Sequence, residues 1–238
     1  MASSPTNGVK PASSPLPGLL LLLSATTGLV DAVSVLGLGK VFTANMTGNI
    51  VFLGFAIAQT PGFSIAPTSV ALLTFFVGAF IGGRTGQTFG ARPLRHWLTA
   101  AALIEAVLLW IAAIVALFYD PKGLGPLWAL LSIIGLTAIA MGFRNATIRQ
   151  LKVPDLTTTV LTLTITGIAA DSRLAGGNAP NLRRRIAAVV AILAGAALGA
   201  LMVVHLGLAL PLALAGLLVL GGTIICVRHP STAVPHAA

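Results

Sequence analysis

The chain has 238 residues, of which 56% are hydrophobic and only 8% are Asp, Glu, Lys or Arg. A soluble domain carries roughly 25% charged residues, so this composition excludes a water-covered surface, and the apolar runs are continuous rather than alternating, as in helical membrane proteins. The net charge of +9 sits in short basic clusters without interleaved aromatics, a pattern of membrane topology and not of nucleic-acid binding.

In chain order, residues 1–15 read as a disordered tail rich in Ser, Pro, Gly and Asn. Lys10 before Leu19–Leu23 faintly resembles a leader, but the apolar run continues to Leu38, further than a cleaved signal needs. The first span is Leu16–Leu38, with Asp31 embedded. A polar stretch, Val41-Phe42-Thr43-Ala44-Asn45-Met46-Thr47-Gly48-Asn49, precedes a short apolar piece, Ile50–Ala58. Further spans are predicted at Pro67–Gly83, Trp97–Tyr119 (with Glu105), Pro126–Phe143, Ile186–Val204 and Leu206–Val227. A second Thr-rich stretch, Val160 to Ile168, lies between the Pro126–Phe143 and Ile186–Val204 spans and closes at Asp171. Residues 230–238 read as a second tail. The single cysteine, Cys226, has no internal disulfide partner, and the four histidines show no ligand spacing.

The basic residues decide the topology. If all eight apolar segments cross, the 14 Lys and Arg divide seven to seven, against the positive-inside bias. If the two short segments return to the side they entered from, the division becomes twelve to two, with only Lys40 and Lys122 outside and both termini cytoplasmic. The fold class is therefore an all-α integral membrane protein with six transmembrane helices and two short re-entrant or broken segments, in one polytopic domain over 16–229.

The halves, about 16–119 and 126–229, correspond in order. Gly28-x-x-Asp31-Ala32 matches Gly142-x-x-Asn145-Ala146, the Val41 stretch matches the Val160 stretch, and Gly78-x-x-x-Gly82 matches Gly195-x-x-x-Gly199. Three crossings per half is an odd number, so the repeats are expected to be inverted, a transporter architecture.

Gly28-Leu29-Val30-Asp31-Ala32 followed by Phe42-Thr43-Ala44-Asn45-Met46-Thr47-Gly48-Asn49 resembles the signature of the YoaK-like family, as does Gly142-x-x-Asn145-Ala146 with the later Thr-Gly. The resemblance implies a bacterial inner-membrane protein of about six spans, in a family without an established substrate or catalytic residue. The second half departs from the pattern at Ile168, where the first copy has Asn49.

Asp31 is the sharpest candidate, because a carboxylate inside a span is expensive and usually faces a partner or a watery cavity. A protonatable or cation-binding role is weighed above a structural one. Asn45, Thr47 and Asn49 are expected to cap a half-helix starting near Ile50, aiming its donors and dipole at the midplane for an anionic or polar solute; they also serve to satisfy broken backbone. Thr162, Thr164 and Thr166 either line one side of an extended entry or bond back to a helix, the latter preferred. Arg144 reads as a side chain snorkelling at the cytoplasmic end of the fourth span, ahead of an anion-binding role. Glu105 is read as pairing with Arg84, Arg92 or Arg144 rather than relaying protons.

No catalytic triad, metal cluster or phosphate loop appears, so neither an enzyme nor a cofactor is expected. The leading expectation is a secondary transporter of a small polar or anionic solute. Its site is built from Asp31, Asn45, Thr47, Asn49, Asn145, Thr164 and Thr166. The alternatives are a channel filtered by the two Thr-Gly stretches and a non-transporting membrane scaffold. The expected partners are the lipid bilayer, the solute and a second copy packed through the Gly-x-x-x-Gly faces.

Overall fold

The computed structural model describes residues 14–89, 92–153 and 161–234; most of the expected N-terminal tail, Asp155, Val160 and residues 235–238 lie outside them. Among the described residues eight α-helices follow one another: α1 Leu16–Gly37, α2 Met46–Ile57, α3 Ile65–Phe89, α4 Leu94–Ala116, α5 Leu127–Leu151, α6 Leu161–Ala170, α7 Leu182–Leu206 and α8 Ala209–Val227. Six of them are long and apolar enough to cross a membrane. Chain punctuation sets the ends: prolines stand at the starts of α1, α4 and α5. Gly39 beyond α1 and Gly207 after α7 take positive φ, at +80° and +78°, where a helix is readily broken.

Two faces are defined by what packs at them. At one, Leu16, Leu19 and Leu20 of α1 join Leu94 and Trp97 of α4, Ile148 and Leu151 of α5, Ala188 of α7 and Cys226 of α8. At the other, Leu38, Val41, Tyr119, Ala129 and Leu208 share a second core, and Tyr119 Oη donates to the Gly37 carbonyl at 2.9 Å. The chain leaves α1 at this second face and re-enters α3 there, so α2 does not cross; α6, between the ends of α5 and α7 at the first face, does not cross either. With 12 and 10 residues, these helices reach about 18 and 15 Å at 1.5 Å per residue, half of a hydrocarbon core of about 30 Å. Large apolar side chains such as Leu73, Phe76, Phe80, Ile114, Leu193, Leu201 and Ile225 point outward, as lipid contact requires.

The closest helix pairs are α3 with α5 and α1 with α7, and α4 packs on α8. Glycine permits this closeness. A Cβ on Gly195 would meet the Ala25 carbonyl, and one on Gly28 the Ile192 carbonyl. In the other pair a Cβ on Gly78 would meet the Ile139 carbonyl, and one on Gly142 the Phe75 carbonyl. The Gly-x-x-x-Gly faces are therefore consumed inside the chain. This corrects the expectation that they form a homodimer surface, because no groove is left on them for a second copy.

Three further expectations are revised, and one preferred reading holds. Helix α2 starts at Met46, not near Ile50. Helix α5 runs two turns past Phe143, through Arg144, Asn145 and Arg149. The second Thr-rich stretch is helical from Leu161, the preferred reading, so Thr164 lies about 200° around the axis from Thr162 and Thr166 and the alternative, three hydroxyls lining one side, does not hold. The expected C-terminal tail folds back from residue 230: Thr232 is buried, and the Val234 carbonyl accepts from Leu94 N–H at 3.0 Å, at the start of α4.

Candidate functional site

The first polar stretch enters the membrane layer as irregular chain, bent at Thr43 and Ala44, and leaves it as α2. Asn49 holds the turn: its Oδ1 accepts from Phe42 N–H at 2.9 Å and its Nδ2 donates to the Phe42 carbonyl at 2.6 Å, as a neighbouring strand would. Asn45 caps α2, with Oδ1 accepting from Gly48 N–H at 3.3 Å. On the outer side of α2, Phe52 stacks on Phe42 at 5.6 Å and packs on Phe63 at 5.1 Å, with the Lys40 ammonium 5.4 Å from the Phe63 ring.

At the inner end of α2, Asn45, Met46 and Thr47 form one wall of a cavity of about 900 Å³. Phe75, Ala79 and Gly83 of α3 and Asn145, Ala146, Ile148, Arg149 and Gln150 of α5, with Lys152 and Val153, complete it. The cavity thus extends from the end of α5, at the face that carries Leu16, to the first turn of α2. Asn45, Thr47 and Asn145 are brought together here. Asn49 is fully buried behind the wall, and Thr164 and Thr166 lie on α6, away from the cavity.

Asp31 stands next to the irregular segment that precedes α2. Its carboxylate takes the Ala44 N–H and lies within electrostatic reach of Arg144, while its Oδ1 is buried without a hydrogen-bond partner. Thr43 Oγ1, one residue before Ala44, is likewise buried and unpartnered. Ala44 belongs to the cavity wall, so Asp31 is one backbone group removed from the cavity.

Arg144 does not snorkel. It is 2% exposed and among the largest fully buried side chains. Its Nη2 pairs with Glu105 of α4, and its Nη1 donates to the Leu23 carbonyl at 3.0 Å and to Thr27 Oγ1 at 2.9 Å on α1. The physical reason is the extension of α5, which places Arg144 two turns inside its end, where no headgroup is within reach and a buried partner is. A small cavity of about 30 Å³, room for a water, borders the pair beside Thr147 and Thr223. Asp31, Arg144 and Glu105 thus form an intramembrane charged core with one cation between two carboxylates.

Sequence reading did not single out Thr43, Arg149, Gln150 or Lys152. The basic pair was absorbed into the topology, and its signal was position: both lie beyond Asn145 on a helix whose apolar stripe continues through Ile148 and Leu151. At the first face Arg185 of α7 bonds Asp171 at 2.6 Å, tying the end of α6 to α7.

Comparison with known proteins places the chain. No solved structure matches it. A curated relative, the UPF0700 transmembrane protein YoaK of Bacillus subtilis (strain 168), is 35% identical over 157 residues, covering 64% of this chain and 65% of that protein, just under two thirds of its length. The profile of the family described as "Protein of unknown function (DUF1275)" matches residues 19–225, from within α1 almost to the end of α8. With the match running through both polar stretches and all six spans, the chain belongs to the DUF1275 family and is a YoaK-like member of it.

Proposed function

We propose that the protein is a secondary transporter of a small polar or anionic solute, without enzymatic activity, in a bacterial cytoplasmic membrane. The observation that carries this reading is the cavity of about 900 Å³ reaching from one face to the first turn of a half-length helix. Broken helices whose ends meet a cavity at membrane depth are the usual place for a carried solute.

The packing supports inverted halves. Gly28 and Gly142, 114 positions apart, meet Ile192 and Phe75 of the other half, which are themselves 117 apart; Gly195 and Gly78, also 117 apart, meet Ala25 and Ile139, again 114 apart. Each α1-type helix therefore packs on the α3-type helix of the opposite half with the same register. The basic residues of the first face support a cytoplasmic orientation for it, with both termini inside and the cavity open inward. Rocking of one half against the other would open the Lys40 face in turn.

Asp31 is proposed as the coupling carboxylate. Asp31→Asn keeps an acceptor for Ala44 N–H but removes the charge. Purified protein in proteoliposomes, assayed by solid-supported-membrane currents against a panel of small organic acids and amino acids, is expected to give a saturable current that Asp31→Asn abolishes without unfolding. An unchanged current removes Asp31 from the mechanism. Silence of the wild type across the panel counts against transport itself.

A further inference from the structure

The cavity wall has a sign. Arg149 and Lys152 line its mouth, and among the described residues neither forms an ion pair and no carboxylate lines the cavity. Further in are the amides of Asn45, Asn145 and Gln150 and the Thr47 hydroxyl. At the floor, the N–H groups of Met46 and Thr47 occupy the first two positions of α2, where no intrahelical carbonyl reaches them, and the helix dipole adds positive potential. The remaining wall is apolar, from Phe75, Ala79 and Ile148.

Lys152 adds an independent observation. It ends α5 in the left-handed region, φ +47°, a conformation that glycine adopts more readily than lysine. The position nevertheless carries a long cationic side chain, and that residue is part of the cavity wall.

We infer that the cavity binds an organic anion: a carboxylate, phosphate or sulfonate group held by Arg149 and Lys152, with an apolar body against Phe75 and Ile148. The inference rests on the transporter reading and narrows its solute class. A guanidinium fork and an ammonium match an oxyanion in shape and charge. The apolar wall gives a carbon skeleton a surface that a bare inorganic anion would leave unused. The same anionic chemistry has two sources, a free solute or the headgroup of an anionic lipid entering from the bilayer.

The test uses Thr47→Cys on a Cys226→Ser background in lipid nanodiscs, where both faces are open to reagent. Rates of modification by the anionic sulfonatoethyl and the cationic trimethylammonioethyl methanethiosulfonates are each divided by the rate with free mercaptoethanol. The normalised anion-to-cation ratio is expected to be about tenfold or more and to fall to about one in Arg149→Gln/Lys152→Gln. A ratio at or below one in the parent, with ready labelling, overturns the anion assignment and leaves the transporter reading standing. Refusal of both reagents means that the cavity is closed, and overturns both. Asn145→Cys repeats the measurement from the opposite wall should Thr47→Cys fail to fold. Comparing phosphatidylcholine discs with discs also containing phosphatidylglycerol separates the sources: a preference retained in both assigns a free solute, and one lost only with the anionic lipid assigns the headgroup.

Discussion

Replacing Arg144 by methionine leaves Glu105 buried without its counter-charge, whereas replacing both Arg144 and Glu105 by apolar residues leaves nothing unpaired. Breaking a buried ion pair costs about 3–5 kcal/mol and removing the whole pair far less, sometimes nothing. Arg144→Met is therefore expected to lower the unfolding midpoint in mixed micelles sharply, and Glu105→Leu to restore most of it in the double variant. Equal losses in single and double variants would show that the pair is not what the side chains contribute. A second residue-scale prediction concerns Tyr119, the only tyrosine in the chain. Burial, and then the neighbouring Asp120, push its hydroxyl up to about 12. The folded state thus prefers the protonated phenol, which donates to Gly37. This contribution is complete below the unfolded value of about 10 and is lost as pH rises towards the folded value. Tyrosinate absorbance should appear near pH 12 in folded protein, and Tyr119→Phe should remove the corresponding part of the alkaline loss of stability. A midpoint near 10 in folded protein would refute it.

At the scale of elements, the tight pairs α1–α7 and α3–α5 depend on missing side chains. Gly195→Ala places a Cβ against the Ala25 carbonyl, which is backbone and cannot step aside, whereas Gly221→Ala on α8 meets open space. Overpacking of this kind costs about 1–3 kcal/mol, so Gly195→Ala is expected to lose stability and Gly221→Ala to lose none. Matching midpoints for the two would remove glycine closeness from the account of the fold. The element scale also shows what a reader of the sequence can and cannot obtain. The spans are legible because some twenty apolar residues in succession have few other uses. The continuation of α5 was hidden because Arg144 looks like a boundary until its partner is known, and Glu105 lies 39 positions upstream on another helix. Alternating threonines fit a strand and a short helix equally well, and at α6 the helix prevailed. Asn45 was legible as a cap; the cavity behind it was not, since its wall is assembled from α2, α3 and α5, and no local pattern spells out that meeting.

For the whole molecule, the return of α2 and α6 to the faces they came from fixes the count of crossings and places the loop after α2 opposite the loop after α6. Thr60→Cys and Ala175→Cys, each exposed and each on a Cys226→Ser background, test this in intact cells. An impermeant thiol reagent is expected to label residue 60 and leave residue 175 untouched. Labelling of both or of neither would mean that one short helix crosses, and the argument for inverted halves would fall. The buried Arg144–Glu105 pair has a further consequence, for biogenesis. Glu105 belongs to the first half and Arg144 to the second, so each half made alone would carry a mid-helix charge costing about 2.5–3.5 kcal/mol to insert. During synthesis α4 must wait, beside the insertion machinery or loosely in lipid, until α5 emerges and supplies the cation. The ion pair is thus a clasp across the midpoint of the chain, and neither half is complete without the other.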